Sequence, residues 1–385
     1  MCDTFYISSK ISEDGSNIFC KNSDRPYGES QAIMLLPPEK RSDTIKATYI
    51  KIKGKDRKYS VFIGKPFWMW GGEFAINSAG VCIGNEALFT KIKIKGNNGL
   101  LGMDTLRFSA EISGSAEESL QNIIELIERY GQDANSAYDK DFRYHNSFLI
   151  LDTDKVFYVE TVGRNYAFRE IKDDFFSISN KMIICGDSNG TLSCPKKYER
   201  KIYSFLAGGK QRREKIIKEI QRKVDNGKKI SLKDCIEILK IHGFGTRSVC
   251  MHYGIFCPSQ TANSVICLVH NDGNIVIWAT GTPHPCISVF KPFVFGTQVP
   301  YSEIFLPSGK KDSSLWWISI TLHQKLFKDK KMLKDYRENI EDLQEKIIRI
   351  YKEVHSDKKS VYELLEQSIN WELKVIKKYS KADYF

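Results

Sequence analysis

Short apolar runs separated by turn-forming polar pairs fill the N-terminal half of the chain. Phe5-Tyr6-Ile7 leads through Asp14-Gly15 to Asn17-Ile18-Phe19-Cys20, the pattern of a strand, a tight turn and a second strand. The pattern recurs around Asn77-Ser78-Ala79-Gly80, with Glu73-Phe74-Ala75-Ile76 before it and Val81-Cys82-Ile83-Gly84 after it. It returns at 148–151 and 156–159, joined by Asp152-Thr153-Asp154, and at 264–270 and 275–280, hinged at Asp272-Gly273. Between these blocks the period changes. Ser115-Ala116-Glu117-Glu118 opens a helix as a capping box, Leu120, Ile123, Ile124 and Ile127 share one face, and Gly131 stops it.

From about 328 to 379 the pattern is that of a helical hairpin. Leu333, Tyr336, Ile340, Leu343, Ile347 and Ile350 alternate by three and four, a seam too short for a free coiled coil. It is expected to pack on its own domain or to join two copies of the chain as a homo-oligomer. Hairpin blocks interrupted by helices predict an α+β protein of antiparallel sheets covered by helices, not alternating βαβ units. No Pro/Gly/Ser-rich linker divides the 385 residues. The expected organisation is a catalytic domain over 1–310, with a basic helical insert at about 196–240, and a helical extension over 311–385 packed on the same body.

Apolar and charged fractions of 42% and 27% are those of a soluble globular protein. The first residues lack the basic and long apolar regions of a secretory signal, and the longest apolar runs have strand length. A cytoplasmic protein without a transmembrane segment is therefore expected. The ten cysteines then read as reduced, mostly buried thiols, Cys2 excepted. No Cys-x-x-Cys pair or Cys/His ladder at zinc spacing occurs, and Met251 between Cys250 and His252 is wrong for a finger. Neither a metal nor an organic cofactor is expected. Dinucleotide, P-loop and His-Glu-x-x-His signatures are also missing. Nearly all of the net charge of +11 lies in the helical stretch from Lys196 to Lys233. That stretch has no interleaved aromatics for base stacking, and Ile216, Ile217 and Ile220 give it an ordinary buried stripe. A solvated basic face is expected there, not a nucleic-acid site.

Candidate chemistry begins at Cys2. Removal of Met1 would leave its thiol beside a free α-amine, whose pKa near 7.7–8.0 suits it to take a proton at neutral pH. One residue then supplies nucleophile and base. Lys21-Asn22-Ser23-Asp24 follows the first hairpin, which folds it back beside Cys2. A carboxylate there can hold the α-ammonium, and a cation favours thiolate; the same residues can equally form a turn. Gly84-Asn85-Glu86 and Ser177-Ile178-Ser179-Asn180 end apolar strands with an amide that can face an oxyanion or cap a loop. Conventional Cys/His catalysis would instead need His145, His252 or His284 near the thiol. Trp68 and Trp70 read as core aromatics.

Several blocks, in order over residues 2–300, resemble the secernins and their dipeptidase relatives, cysteine N-terminal nucleophile hydrolases. They include Cys2-Asp3-Thr4, Lys21-Asn22-Ser23-Asp24-Arg25-Pro26, Trp70-Gly71-Gly72-Glu73 and 77–87. Further blocks are Leu100-Leu101-Gly102-Met103-Asp104, Asn146-Ser147-Phe148-Leu149, Cys250-Met251-His252, Ser259-Gln260-Thr261 and 280–292. The resemblance implies a four-layer αββα sandwich and a site of Cys2, Lys21, Asp24, Asn85 and Asn180. Lys21 stands where many relatives have Arg, which keeps a cation but loses its bidentate fork. In the expected mechanism Asp24 fixes the α-amine, Asn85 holds the oxyanion and Asn180 frames the site. The implied activity is hydrolysis of a short peptide or other small amide through a thioester. The alternatives are a non-enzymatic regulator of secretion, an acyltransferase or non-peptide amide hydrolase on the same fold, and nucleic-acid binding through the insert.

Overall fold

The computed structural model describes residues 1–296, 299 and 301–380; residues 297, 298, 300 and 381–385 of the two expected segments lie outside it. Two antiparallel sheets carry the architecture. The smaller has six strands in the order Phe175–Ser179, Cys2–Ile7, Asn17–Pro26, Ser259–Val269, Ile275–Ala279 and Lys291–Val294. The larger has eight, running from Asn189–Gly190 through Asn165–Glu170, Val156–Val162, His145–Leu151, Cys82–Leu88, Phe74–Asn77 and Val61–Pro66 to Gln31–Leu36. The sequence-level hairpins are all present, with Gly15 and Gly80 at positive φ in their turns.

The sheets face each other, and each is covered by helices on its far side, giving four layers. Helices Gly102–Ile112 and Ala116–Tyr130 lie over the eight-stranded sheet. Their Leu106, Ala110, Leu120, Ile123 and Ile127 close a core with Ile83, Phe148 and Ile150. Ser115 caps the second of these helices by accepting from the Glu118 amide at 3.1 Å, and Gly131 ends it at φ 69°. Helices Gly209–Asp225 and Leu232–Leu239 cover the six-stranded sheet. The C-terminal hairpin, Lys330–Val354 and Lys358–Ser380, packs beside strand Lys291–Val294, with Tyr336, Ile340, Leu343 and Ile347 buried.

Between the sheets the packing is polar as well as apolar. Register places Cys2 opposite Ser23 and Thr4 opposite Lys21, so this face of the smaller sheet turns charged and hydroxyl groups toward the larger one. Gly84 lets the layers close: a β-carbon there would stand 2.9–3.1 Å from Thr4 Oγ1, Phe19 Cζ and Lys21 Cδ.

Two expectations need correction. The basic stretch is not solvated throughout. Most of its lysines are exposed or half-exposed, but Arg212 shares its helix face with Ile216 and Ile220 and is completely buried. The thiols are not all free either. Cys185 and Cys194 form a disulfide, brought together because the segment after Ser179 doubles back through Asn189–Gly190 and the Gly186 amide donates to the Ser193 carbonyl. The other eight cysteines are buried and unpaired. Among the described residues no helix is long and apolar enough to cross a membrane.

The close approach at Gly84 makes a test of the packing between the sheets. Gly84→Ala should lower unfolding free energy by about 1–3 kcal/mol, the usual cost of overpacking a filled core. Urea denaturation would measure it, and a loss below about 0.5 kcal/mol would mean that the layers can part there without strain.

Candidate active site

Cys2 begins the second strand of the smaller sheet, paired on one side with Ser23 and flanked on the other by Ser179 and Asn180. It is only 4% exposed, yet it lies on the floor of a cavity of about 710 Å³. Its backbone nitrogen donates to Asn180 Oδ1 at 3.0 Å. Its Sγ donates to Glu73 Oε2 at 3.3 Å and accepts from the Asp24 amide at 3.4 Å. Burial pushes the thiol up to about 12; Lys21 pulls it down, and Glu73 and Asp24 oppose that pull. The sulfur therefore keeps its proton at neutral pH, and a base must remove it before it can attack.

The buried charges around the thiol form two groups. On the side of the larger sheet, Arg25 binds Glu73 Oε1 at 3.0 Å, Glu29, the Tyr144 hydroxyl at 3.3 Å and the Ser136 carbonyl at 2.8 Å. Glu73 is thus held by Arg25 while its other oxygen meets the sulfur. On the helix side, Arg212 Nε donates to Asp3 Oδ2 at 2.8 Å. Its Nη2 reaches Asn180 Oδ1 at 2.7 Å, Ser179 Oγ at 2.8 Å and the Cys2 carbonyl at 3.3 Å. Gly208 and Gly209 make this reach possible. Gly208 has φ 68°, and a β-carbon on Gly209 would lie 2.8–3.0 Å from Asn180 backbone atoms. The helix start therefore rests on Asn180, one turn before Arg212.

The five residues named from sequence fall differently. Cys2, Asp24 and Asn85 line the cavity, and Asn180 reaches it through the Cys2 nitrogen. The Asp24 carboxylate accepts from Thr261 Oγ1 at 2.7 Å, while its backbone carbonyl accepts from the Met1 amine at 3.2 Å. It is Asn180, therefore, that holds the Cys2 nitrogen here. Burial lifts the Asp24 carboxyl to about 7, against the pull of the Met1 ammonium. Asn85 Nδ2 donates to Asn146 Oδ1 at 2.9 Å and lies 3.3 Å from the Met103 sulfur. That orientation is fixed by a relay in which Asn146 donates to Gln132 and Gln132 to the Gly163 carbonyl. Lys21 is completely buried below the cavity floor, bonded to Glu86 at 3.1 Å and the Asn85 carbonyl at 2.7 Å. Burial alone would lower its ammonium, but Cys2, Glu86 and Glu73 hold it above its ordinary value.

No family model matches the chain. Solved structures similar to it include two variants of conjugated bile acid hydrolase from Clostridium perfringens. One, a mutant in which alanine replaces a cysteine, is 14% identical with a TM-score of 0.48, covering 77% of this chain and 92% of that one. The other, in which leucine replaces an arginine, is 14% identical with a TM-score of 0.49, covering 76% and 92%. An N-acylethanolamine-hydrolyzing acid amidase ortholog from Caenorhabditis elegans is 9% identical with a TM-score of 0.38, covering 69% and 92%. None of these likenesses assigns a residue or a substrate to this chain.

Sequence reasoning missed Glu73, Arg25 and Arg212. The first two stand at strand ends, Glu73 just before Phe74–Asn77 and Arg25 near the end of Asn17–Pro26, where a charged residue beside an apolar run was the available signal. Arg212 was hidden in a basic run, yet it precedes Ile216 and Ile220 by four and eight residues and so lies on the apolar stripe. Of the histidines, His145 bonds Thr90, His284 meets His323, and His252 faces Cys250 and Cys286. Trp68 and Trp70 are half-buried outside the cavity wall, Trp70 beneath the Arg107 guanidinium at 4.4 Å.

The helix-side charges separate a buried role from a surface one. Arg212→Met should destabilise the fold by about 3–5 kcal/mol, because it strands Asp3 in the interior. Lys218→Gln, on the exposed face of the same helix, should stay within about 0.5 kcal/mol. Equal losses in chemical denaturation would contradict this difference.

The raised Asp24 carboxyl sets a sign for pH dependence. Its folded value, about 7, exceeds its unfolded value, so the folded state binds the extra proton between about pH 4 and 7. This group's contribution therefore falls as pH rises through that window. Asp24→Asn should remove that fall, as read from denaturation midpoints at pH 5 and 7.5. A parent protein whose stability falls no more steeply than the variant's would refute the burial argument.

Proposed function

We propose that the chain is an N-terminal cysteine amidohydrolase acting on short peptides or other small amides. The observation that carries this reading is the double anchoring of Cys2. Its nitrogen is fixed by Asn180 and its sulfur by Glu73 and the Asp24 amide, at the floor of an open cavity. Once Met1 is removed, that nitrogen becomes an amine with a proton affinity suited to pH 7.

The amine then takes the thiol proton, and Asn180 Oδ1 and the Asp24 backbone carbonyl offer acceptors for the ammonium. Sulfur attacks the substrate carbonyl carbon. The oxyanion turns to the Asp24 amide and to Asn85 Nδ2, whose hydrogen against the weakly accepting Met103 sulfur is the one free to move. Collapse breaks the C–N bond, the Cys2 ammonium protonates the leaving amine, and the acyl group remains on sulfur. Water, deprotonated by the same amine, attacks the thioester; the C–S bond breaks, the ammonium returns its proton to the sulfur and the acid is released.

The cavity wall supports a substrate with an apolar side and an anionic end. Phe205, Leu206, Phe244, Ile255 and Phe256 form an apolar, largely exposed rim, and Lys140 and Arg247 line the same cavity. Either cation can meet the carboxylate of a short peptide. The dipeptidase choice rests on the resemblance of the sequence blocks. The reading places the protein in the cytoplasm, which keeps the Cys2 thiol reduced but seldom preserves a disulfide such as Cys185–Cys194.

Cys2→Ala should abolish turnover with the fold intact by circular dichroism, and Cys2→Ser should leave a trace at most. An activated ester or amide should add its acyl mass to Cys2 of the parent, seen by mass spectrometry. A residue before Cys2 that cannot be trimmed should prevent both. Turnover in Cys2→Ala, or full activity with the nitrogen still blocked, would sink the mechanism.

A further inference from the structure

Away from the Cys2 floor, four potential metal ligands meet from three separate segments. His242 follows helix Leu232–Leu239, Cys250 and His252 lie on the next segment, and Cys286 belongs to the short turn Pro285–Ile287. Their ligand atoms all lie within 4.8 Å of one another. His252 Nε2 stands 3.3 Å from His242 Nε2, 3.3 Å from Cys286 Sγ and 3.5 Å from Cys250 Sγ.

Three neighbours on one imidazole nitrogen cannot all be served by hydrogen bonding. Nε2 has one in-plane site, either an N–H that donates or a lone pair that accepts. A central cation satisfies all four atoms together. Bonds of about 2.0–2.1 Å to nitrogen and about 2.3 Å to sulfur, arranged tetrahedrally, require edges of about 3.3 Å for N···N and about 3.5 Å for N···S. The three separations at His252 Nε2, 3.3, 3.3 and 3.5 Å, are close to these edges, and the whole group lies within 4.8 Å.

We propose that His242, Cys250, His252 and Cys286 bind one zinc-class divalent cation in a closed, four-coordinate structural site. Four protein ligands leave no open position for catalysis. Partly exposed His242 and His252 provide the entry side, and the two sulfurs form the buried base. The site's effect reaches the cavity through its backbone. Met251, between two ligands, exchanges hydrogen bonds with Thr261 at 2.9 and 3.0 Å, and Thr261 Oγ1 donates to Asp24. The segment that carries Cys250 and His252 also supplies Phe244, Arg247, Ile255 and Phe256 to the cavity wall. The cation therefore pins that wall to the sheet independently of the reaction at Cys2.

The full chain, purified without chelator, should carry about one zinc by elemental mass spectrometry. Exchange for Co²⁺ should give the intense visible absorption of a tetrahedral centre and a thiolate-to-metal charge-transfer band. Cys286→Ser and His252→Ala should each weaken zinc binding by more than the roughly 10–100-fold typical of outer-shell losses. Cys257→Ser, on the same segment but outside the four ligands, should bind as the parent does. Zinc removal should speed proteolysis within 243–258. The proposal is overturned by a zinc-replete parent that holds no stoichiometric metal, or by a cobalt spectrum lacking charge transfer. It is equally overturned by a Cys250–Cys286 disulfide in freshly purified protein, or by metal retained in Cys286→Ser.

Discussion

The buried guanidinium of Arg212 fixes the part of the structure on which the rest of the site depends. An arginine with no solvent costs several kcal/mol unless its donors are matched, and here every nitrogen is. Nε meets Asp3, Nη1 meets the Ala207 and Thr246 carbonyls, and Nη2 meets Asn180, Ser179 and the Cys2 carbonyl. One planar group thereby joins strand Cys2–Ile7, the end of strand Phe175–Ser179, the helix start and the segment at Thr246. Asn180 Oδ1 accepts from Arg212 and from the Cys2 nitrogen together, so its amide cannot turn away. The direction of the Cys2 nitrogen follows from that constraint.

The opposite wall works by the same rule with different partners. Lys21 pairs with Glu86, and Arg25 with Glu29 and Glu73, all buried between the sheets. Removing either cation would leave an unpaired carboxylate in a low-dielectric interior. The arrangement also decides the state of the sulfur. Lys21 favours thiolate, but burial, Glu73 and Asp24 outweigh it, so the thiol stays protonated until a base approaches. A preformed thiolate would need no amine beside it. A thiol that must be deprotonated in place does, which is why the proposed chemistry turns on what occupies the Cys2 nitrogen.

Much of the fold was legible because local signals agreed. Asp14-Gly15, Asn77-Ser78-Ala79-Gly80 and Asp272-Gly273 each join two paired strands, and Ser115 and Gly131 bound a helix. The proximity of Cys2 and Asp24 followed from the first hairpin alone. What a hairpin cannot convey is how sheets and helices stack. The ion pairs of Arg25 with Glu73 and Arg212 with Asp3 span 48 and 209 residues, and nothing in spacing announces them. The His242, Cys250, His252 and Cys286 group was missed for the same reason, whereas the Cys185–Cys194 bond joins residues only nine apart and was missed because the thiols were read as reduced. A zinc finger carries its ligands at fixed intervals, whereas this group draws them from three segments that meet only when the fold is complete.

The division of labour between strands and loop is a consequence of these tethers. Cys2, Asp24, Asn85 and Asn180 sit on or beside sheet strands, whose positions are fixed by ladders and buried charges. The apolar wall belongs instead to segments at 203–207 and 244–258, whose Phe205, Leu206, Phe244, Ile255 and Phe256 stand more than half in solvent. Such a wall has little burial of its own to hold it. It is held from below by Arg212 on the Thr246 carbonyl and Lys215 on the Arg247 carbonyl, and from behind by Met251 on Thr261. Sequence change in its apolar side chains can therefore reshape what the cavity admits while leaving the Cys2 geometry untouched. A change in a tether would do the reverse, moving wall and floor together, because Arg212 and Thr261 each touch both.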